Sequence, residues 1–220
     1  MGEVERGAGW LTIHSHFIFY GNEADEALAH RLATETSEAW NAPKASIDLR
    51  GHTMLVRFTI TAAVQKDLSD IAVLTNTNPR NNFFRVEKFA RTNISFVDDI
   101  PSNTGYLLLE NLYPGSTTMA HEYGHTLGLH HPKQLDIRGK GQPGIMYPRG
   151  TLTDPVYQYD AARPAGTDGG TLHPKNRVVT ETDIRNLKLE KLVFTKNYAV
   201  LGQFTSIWHP DHAGTASGSF

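Results

Sequence analysis

His121-Glu122-Tyr123-Gly124-His125-Thr126-Leu127-Gly128-Leu129-His130-His131 is the stretch from which the rest of this 220-residue chain is read. On a helix, His121 and His125 stand one turn apart on the same face, so one tetrahedral metal ion takes both imidazoles. Glu122 follows the first of them directly. From there its carboxylate reaches a water beside the metal without being a ligand itself, the placement a general base needs. Gly128 supplies the positive φ with which a helix ends in a sharp turn. The chain then comes back, so that His131 meets the same metal from another direction and His130 points elsewhere. Three imidazoles leave a fourth position for water, as in catalytic rather than structural zinc.

With 11 histidines in the chain, the short His-Glu-x-x-His core arises by chance in roughly 3% of such sequences, and Gly128 with His131 lowers this to on the order of one in ten thousand. The bland alternatives are a helix with surface histidines and a site that binds metal without turnover. The complete eleven-residue pattern favours a working zinc site.

That pattern resembles the zinc-binding motif of the metzincin metalloproteases. Gly144-Ile145-Met146-Tyr147-Pro148 is similar to their Met-containing turn, which implies that Met146 forms an apolar floor under the metal. The Met-Tyr-Pro order is similar to the matrixin branch and implies that Pro148 walls the pocket for the residue after the scissile bond. Arg149-Gly150 depart from that branch by lacking its next bulky residue. The resemblance further implies an antiparallel rim strand that pairs with an extended substrate. Here that position falls to Thr92 to Asp98, with Gly105 to Glu110 inside it. Thr92, Ile94 and Phe96, together with Pro148, are therefore expected to contact substrate.

The implied fold is α+β and zincin-like: a twisted mixed β-sheet, two main helices above the cleft, and a smaller irregular C-terminal subdomain with a terminal helix. Residues 1–131 are expected to form the upper part and 132–220 the lower part of one catalytic domain.

The composition agrees with a globular domain of one core: 39% of residues are hydrophobic and no apolar run approaches the 18 or so needed to cross a bilayer. A net charge of −2 lacks the basic surplus that nucleic-acid binding requires. Cysteine is absent, which excludes both disulfides and latency by a thiolate on the metal within this chain.

Along the chain, Trp10 to Tyr20 reads as a first strand and Glu23 to Trp40 as an amphipathic helix stopped by Pro43. His14 and His16 share a face of the strand, read as half-buried and polar. Ala45 to Arg50 and Thr53 to Val64 flank a tight turn at Gly51-His52. Phe83 to Phe89, Asn93 to Val97 and Gly105 to Leu109 supply further strands, and Ser116 or Thr117 caps the zinc-binding helix. The stretches 132–144 and 148–176 are rich in Gly, Pro, Asp and Thr and run over a surface. A capping box at Thr180 and Asp183 starts the C-terminal helix. Val193 to Phe204 is apolar and extended, the tail 211–220 is loose, and His209 and His212 are read as solvated.

These readings predict a zinc-dependent endopeptidase with one catalytic Zn²⁺, Glu122 as base and a protein or peptide as substrate. The rival readings are a zinc amidase acting on a cell-wall peptide and a zinc-binding module without turnover. Tyr147, Tyr157 and Tyr159 are candidate second donors to the oxyanion, among which the sequence does not choose. A monomer is expected, with no nucleic acid and no membrane span. Met1 to Gly7 lack a signal-type apolar stretch, and Asp154 to Asp160 with the surrounding 148–180 resemble zinc-peptidase domains at the ends of bacterial polymorphic toxins and secretion-system spike proteins. The resemblance implies a chain secreted or delivered to another cell or compartment as part of a larger polypeptide, with a cognate inhibitor or immunity protein. An ordinary secreted protease with its leader segments removed is the competing reading.

Overall fold

In the computed structural model, residues 1–212 are described, and 213–220 of the tail read as loose lie outside the described residues. The spine is β2 (Trp10–Tyr20), whose β-branched and aromatic residues alternate between core and surface as far as Phe17 and are buried on both faces thereafter. On one side of β2 runs β4 (His52–Val64), parallel to it from Trp10 to Phe19. On the other side, β1 (Gly2–Arg6) pairs antiparallel with its first half and β5 (Asn81–Glu87) parallel with its second. The short β3 (Ser46–Leu49) folds back on β4 through Arg50-Gly51, whose φ values of 55° and 83° are those of a type I′ hairpin turn.

Beyond β5 lie β7 (Thr104–Leu108), parallel to it, and the antiparallel edge strand β6 (Phe96–Val97), while β8 (Tyr198–Leu201) pairs with β1. The main path runs β3-β4-β2-β5-β7-β6.

Helix α1 (Glu26–Asn41) starts where the Asp25 carboxylate accepts the Leu28 N–H, and it buries Leu28, Leu32, Thr36 and Trp40 at four-residue spacing. Helix α2 (Asp70–Leu74) contributes Val73, which packs with Trp208 over Ile18 and Tyr20 and closes the second face of β2. Helix α3 (Thr118–Thr126) carries the histidines, and α4 (Glu181–Asn186) begins with the expected Thr180/Asp183 capping box. The fold is thus α+β, with α1 and α3 against one face of a mixed sheet. Between the helices, Trp40 donates from Nε1 to the Ala120 carbonyl at 3.1 Å, and the Tyr123 ring lies 5.3 Å from Phe17. This aromatic layer is buried in the core cluster, so α3 is held by its back face with the other free for chemistry.

Three differences from the sequence reading have physical causes. The strand expected from Asn93 shrinks to Phe96–Val97, because Asn93 adopts φ 52° and the Ser95 hydroxyl, not a backbone carbonyl, accepts the Leu108 N–H at 3.0 Å. A strand at the very start of the chain has no counterpart in the sequence reading, since Gly2–Arg6 carries little apolar pattern and gains its place through pairing on both sides. His209 is not solvated: it is 9% exposed, its Nε2 lies 2.8 Å from Asp98 Oδ1, and the Phe96 and Tyr106 rings surround it. His212 stacks on Tyr106 with ring centroids 4.0 Å apart.

Candidate metal centre and cleft

Helix α3 ends in a Schellman turn: the Leu129 N–H donates to the Gly124 carbonyl and the Gly128 N–H to that of His125, both at 3.0 Å, with Gly128 at φ 101°. The turn brings His131 back over the helix. The Nε2 atoms of His121, His125 and His131 then lie 3.0, 3.0 and 3.2 Å from one another. Ligand atoms held at 2.0–2.1 Å by a tetrahedral centre stand about 3.3 Å apart. They are the one group of metal-capable side chains among the described residues, and exposed His130 is outside it.

The hydrogen bonds behind these rings fix their tautomers. His121 donates from Nδ1 to the Ile145 carbonyl and His125 from Nδ1 to that of Leu129, each at 2.7 Å. Both neutral rings therefore point a lone pair from Nε2 at the other across 3.2 Å, with no hydrogen to share. Burial keeps them neutral, holding His121 well below its ordinary value and His125 down at about 4. Converging, deprotonated nitrogens with anchored Nδ1–H groups fit a divalent first-row cation, zinc included.

Met146 is 3% exposed and its thioether lies against Gly124 of α3. A β-carbon at Gly124 would run into its Sδ. The same turn supplies the Ile145 carbonyl that orients His121, so the Met146 thioether and the His121 ring are positioned together.

The three histidines and Glu122 line a cleft of about 450 Å³ with Ile94, Phe96, Pro148, Arg149 and Arg177. Ile94 stands on the rim at 53% exposure, while the Phe96 ring stacks on Tyr106 at 6.0 Å beneath it. Thr92 is not part of the lining, and neither are Tyr147, Tyr157 and Tyr159. A larger hollow of about 620 Å³ between Arg6–Gly9 and Leu49–Met54 contains none of the histidines.

Burial pushes the Glu122 carboxyl up to about 8, against the pull of Arg177 and, more weakly, Arg149. A cation on the neighbouring imidazoles pulls in the same direction as the arginines. Arg177 itself is 5% exposed, and burial lowers its guanidinium to about 10, which leaves it charged at neutral pH. Its Nε donates to Thr117 Oγ1 at 2.9 Å and its Nη1 to the Tyr147 carbonyl at 3.1 Å, tying the start of α3 to the Met146 turn. Arg149 donates from Nη2 to Asn111 Oδ1. Sequence reasoning missed Arg177, Arg149, Asn111 and the packing role of Gly124. Nothing local separates Arg177 from the other basic residues, and only the loop packing brings it to the cleft.

No protein-family model matches the chain, and no curated protein matches it. Among solved structures it is similar to archaemetzincin from Methanopyrus kandleri, with 10% identity, a TM-score of 0.40, and coverage of 80% of this chain and 95% of that one.

Proposed function

We propose that this chain is a zinc-dependent endopeptidase in which His121, His125 and His131 hold one catalytic ion and Glu122 is the general base. The observation that carries the reading is the convergence of three imidazole nitrogens, those of His121 and His125 fixed in tautomer, beside a buried carboxylate in one open cleft. Zinc at such a site supplies a Lewis acid and lowers the pKa of water from near 16 to about 7.

The rest is done by the chain's own groups. Glu122 takes the proton of the attacking water and passes it to the departing amine, the role that its place beside the histidines in the cleft allows. Leu129 and Ile145 keep the imidazoles in the ligating tautomer through their carbonyls. Met146 and the aromatic layer under α3 hold the ligand spacing. The edge strand β6 and Ile94 offer a backbone rim on which an extended peptide can add a strand. Delivery of this domain as part of a larger polypeptide, with a cognate inhibitor, is the biological setting we propose; Glu122-dependent toxicity on expression in bacteria tests it.

Degradation of unfolded casein by the zinc-loaded protein, abolished by a chelator and in E122Q, is the expected result. A zinc-loaded protein that leaves casein and other peptides intact would overturn the endopeptidase reading.

A further inference from the structure

The cleft beside the histidines holds two guanidinium groups and only one carboxylate, that of Glu122. Neither Arg177 nor Arg149 forms an ion pair with a carboxylate among the described residues. Their hydrogen-bond partners are all neutral: the Thr117 hydroxyl, the Tyr147 carbonyl and the Asn111 side-chain amide.

Bridging Thr117 to Tyr147 needs donors but no charge. A buried cation with neutral partners is costly to desolvate and is repaid when an anion arrives. Arg177 at 5% exposure has no hydrogen-bonded carboxylate; Glu122 attracts it through space, and burial outweighs that pull and lowers the proton affinity of the guanidinium. The remaining guanidinium donors have no partner among the described residues, and the planar fork suits both oxygens of a carboxylate. With a divalent cation on the imidazoles, the cleft carries a surplus of positive charge immediately beside the reacting amide.

We propose that Arg177 and Arg149 form a carboxylate-recognition subsite, so that this enzyme selects peptides carrying a carboxylate next to the scissile bond. This rests on the peptidase reading and names its substrate class. The carboxylate comes either from an Asp or Glu side chain or from a free chain terminus. Asn111 is a positioning residue, since it orients Arg149 and is itself held by the Ser95 hydroxyl at 3.1 Å.

The test measures binding apart from turnover. Zinc-loaded E122Q is titrated with fluorescent hexapeptides in which one Glu is moved along an Ala/Gly background. Each has a Gln counterpart, and each is made as C-terminal acid and amide. A charge-assisted contact in a desolvated cleft predicts a loss of affinity of roughly 10- to 100-fold on going from the preferred carboxylate to its amide. A Glu/Gln difference assigns the side chain as source, and an acid/amide difference assigns the terminus. R149Q should reduce the discrimination to within about threefold while zinc stays stoichiometric, and R177K should retain more of it than R177Q. Because R177Q loosens the Met146 turn, R149Q decides if that variant fails to fold. Equal binding of acidic and amide peptides, or undiminished discrimination in R149Q, overturns the inference. Hydrolysis by the wild type without carboxylate preference sinks this proposal alone. Carboxylate-dependent binding with no hydrolysis of any peptide sinks the peptidase reading and leaves the subsite standing.

Discussion

Replacing Gly124 by alanine sets two known effects against each other. In an exposed helix interior the change stabilises by about 1 kcal/mol, because glycine has more backbone freedom to lose. In α3 the new β-carbon would collide with Met146 Sδ and stand 3.1 Å from its Cε and 3.2 Å from Trp40 Cζ2. Neither neighbour retreats freely: Met146 is 3% and Trp40 1% exposed, and the indole is also tied to the Ala120 carbonyl. Overpacking of this kind costs about 1–3 kcal/mol, so the net effect is a loss of up to about 2 kcal/mol. At this chain length that lowers Tm by up to about 8 °C. Displacing Met146 also shifts the Ile145 carbonyl from His121, and loss of such an outer hydrogen bond weakens metal affinity by about 10–100-fold. Thermal melts and chelator competition for zinc measure both quantities. In a Met146→Ala background, where only the Trp40 Cζ2 contact at 3.2 Å remains, Gly124→Ala should cost clearly less than in the wild type, which is non-additivity between touching residues. If Gly124→Ala alone raises Tm and leaves zinc affinity unchanged, the packing of Met146 under α3 is misread.

Further expectations follow from single groups. His131→Ala should empty or strongly weaken the zinc site while His130→Ala keeps stoichiometric zinc by metal analysis; the reverse result would put the register of the turn in error. Glu122→Gln should keep zinc and fold but lose about 10²–10⁴-fold in kcat, and a fully active variant would remove Glu122 from the mechanism. In the metal-free protein, burial raises Glu122 to about 8, so between the ordinary carboxylate range and that pH the folded state binds the proton that the unfolded state has released. Wild-type stability therefore falls through this window relative to E122Q and levels off above it, which paired urea titrations across pH detect; a pH-independent difference contradicts the burial. Ser95→Ala should cost about 1–3 kcal/mol by leaving the Leu108 N–H without its acceptor, with zinc binding kept. A change below about 0.5 kcal/mol in urea unfolding would mean that Ser95 does not tie the rim.

The stretch from His121 to His131 was legible because its geometry is local. His121, Glu122 and His125 are fixed relative to one another by the helix repeat, and Gly128 marks the turn by the one backbone conformation that other residues avoid. The strand at Trp10–Tyr20, the helix ending near Trp40 and the Thr180/Asp183 cap were legible for the same reason, since periodicity and capping act over a few residues. The tertiary structure alone decided the rest. It set Gly124 against Met146, made β1 a strand by pairing it with β2 and β8, and drew His209 onto Asp98 across about half of the chain. Above all it carried Arg177 and Arg149, from loops without regular periodicity, into the cleft beside the histidines. Pairing and burial between distant segments depend on how the whole chain closes, and no local pattern of residue types records which loop arginine will end up facing a buried carboxylate.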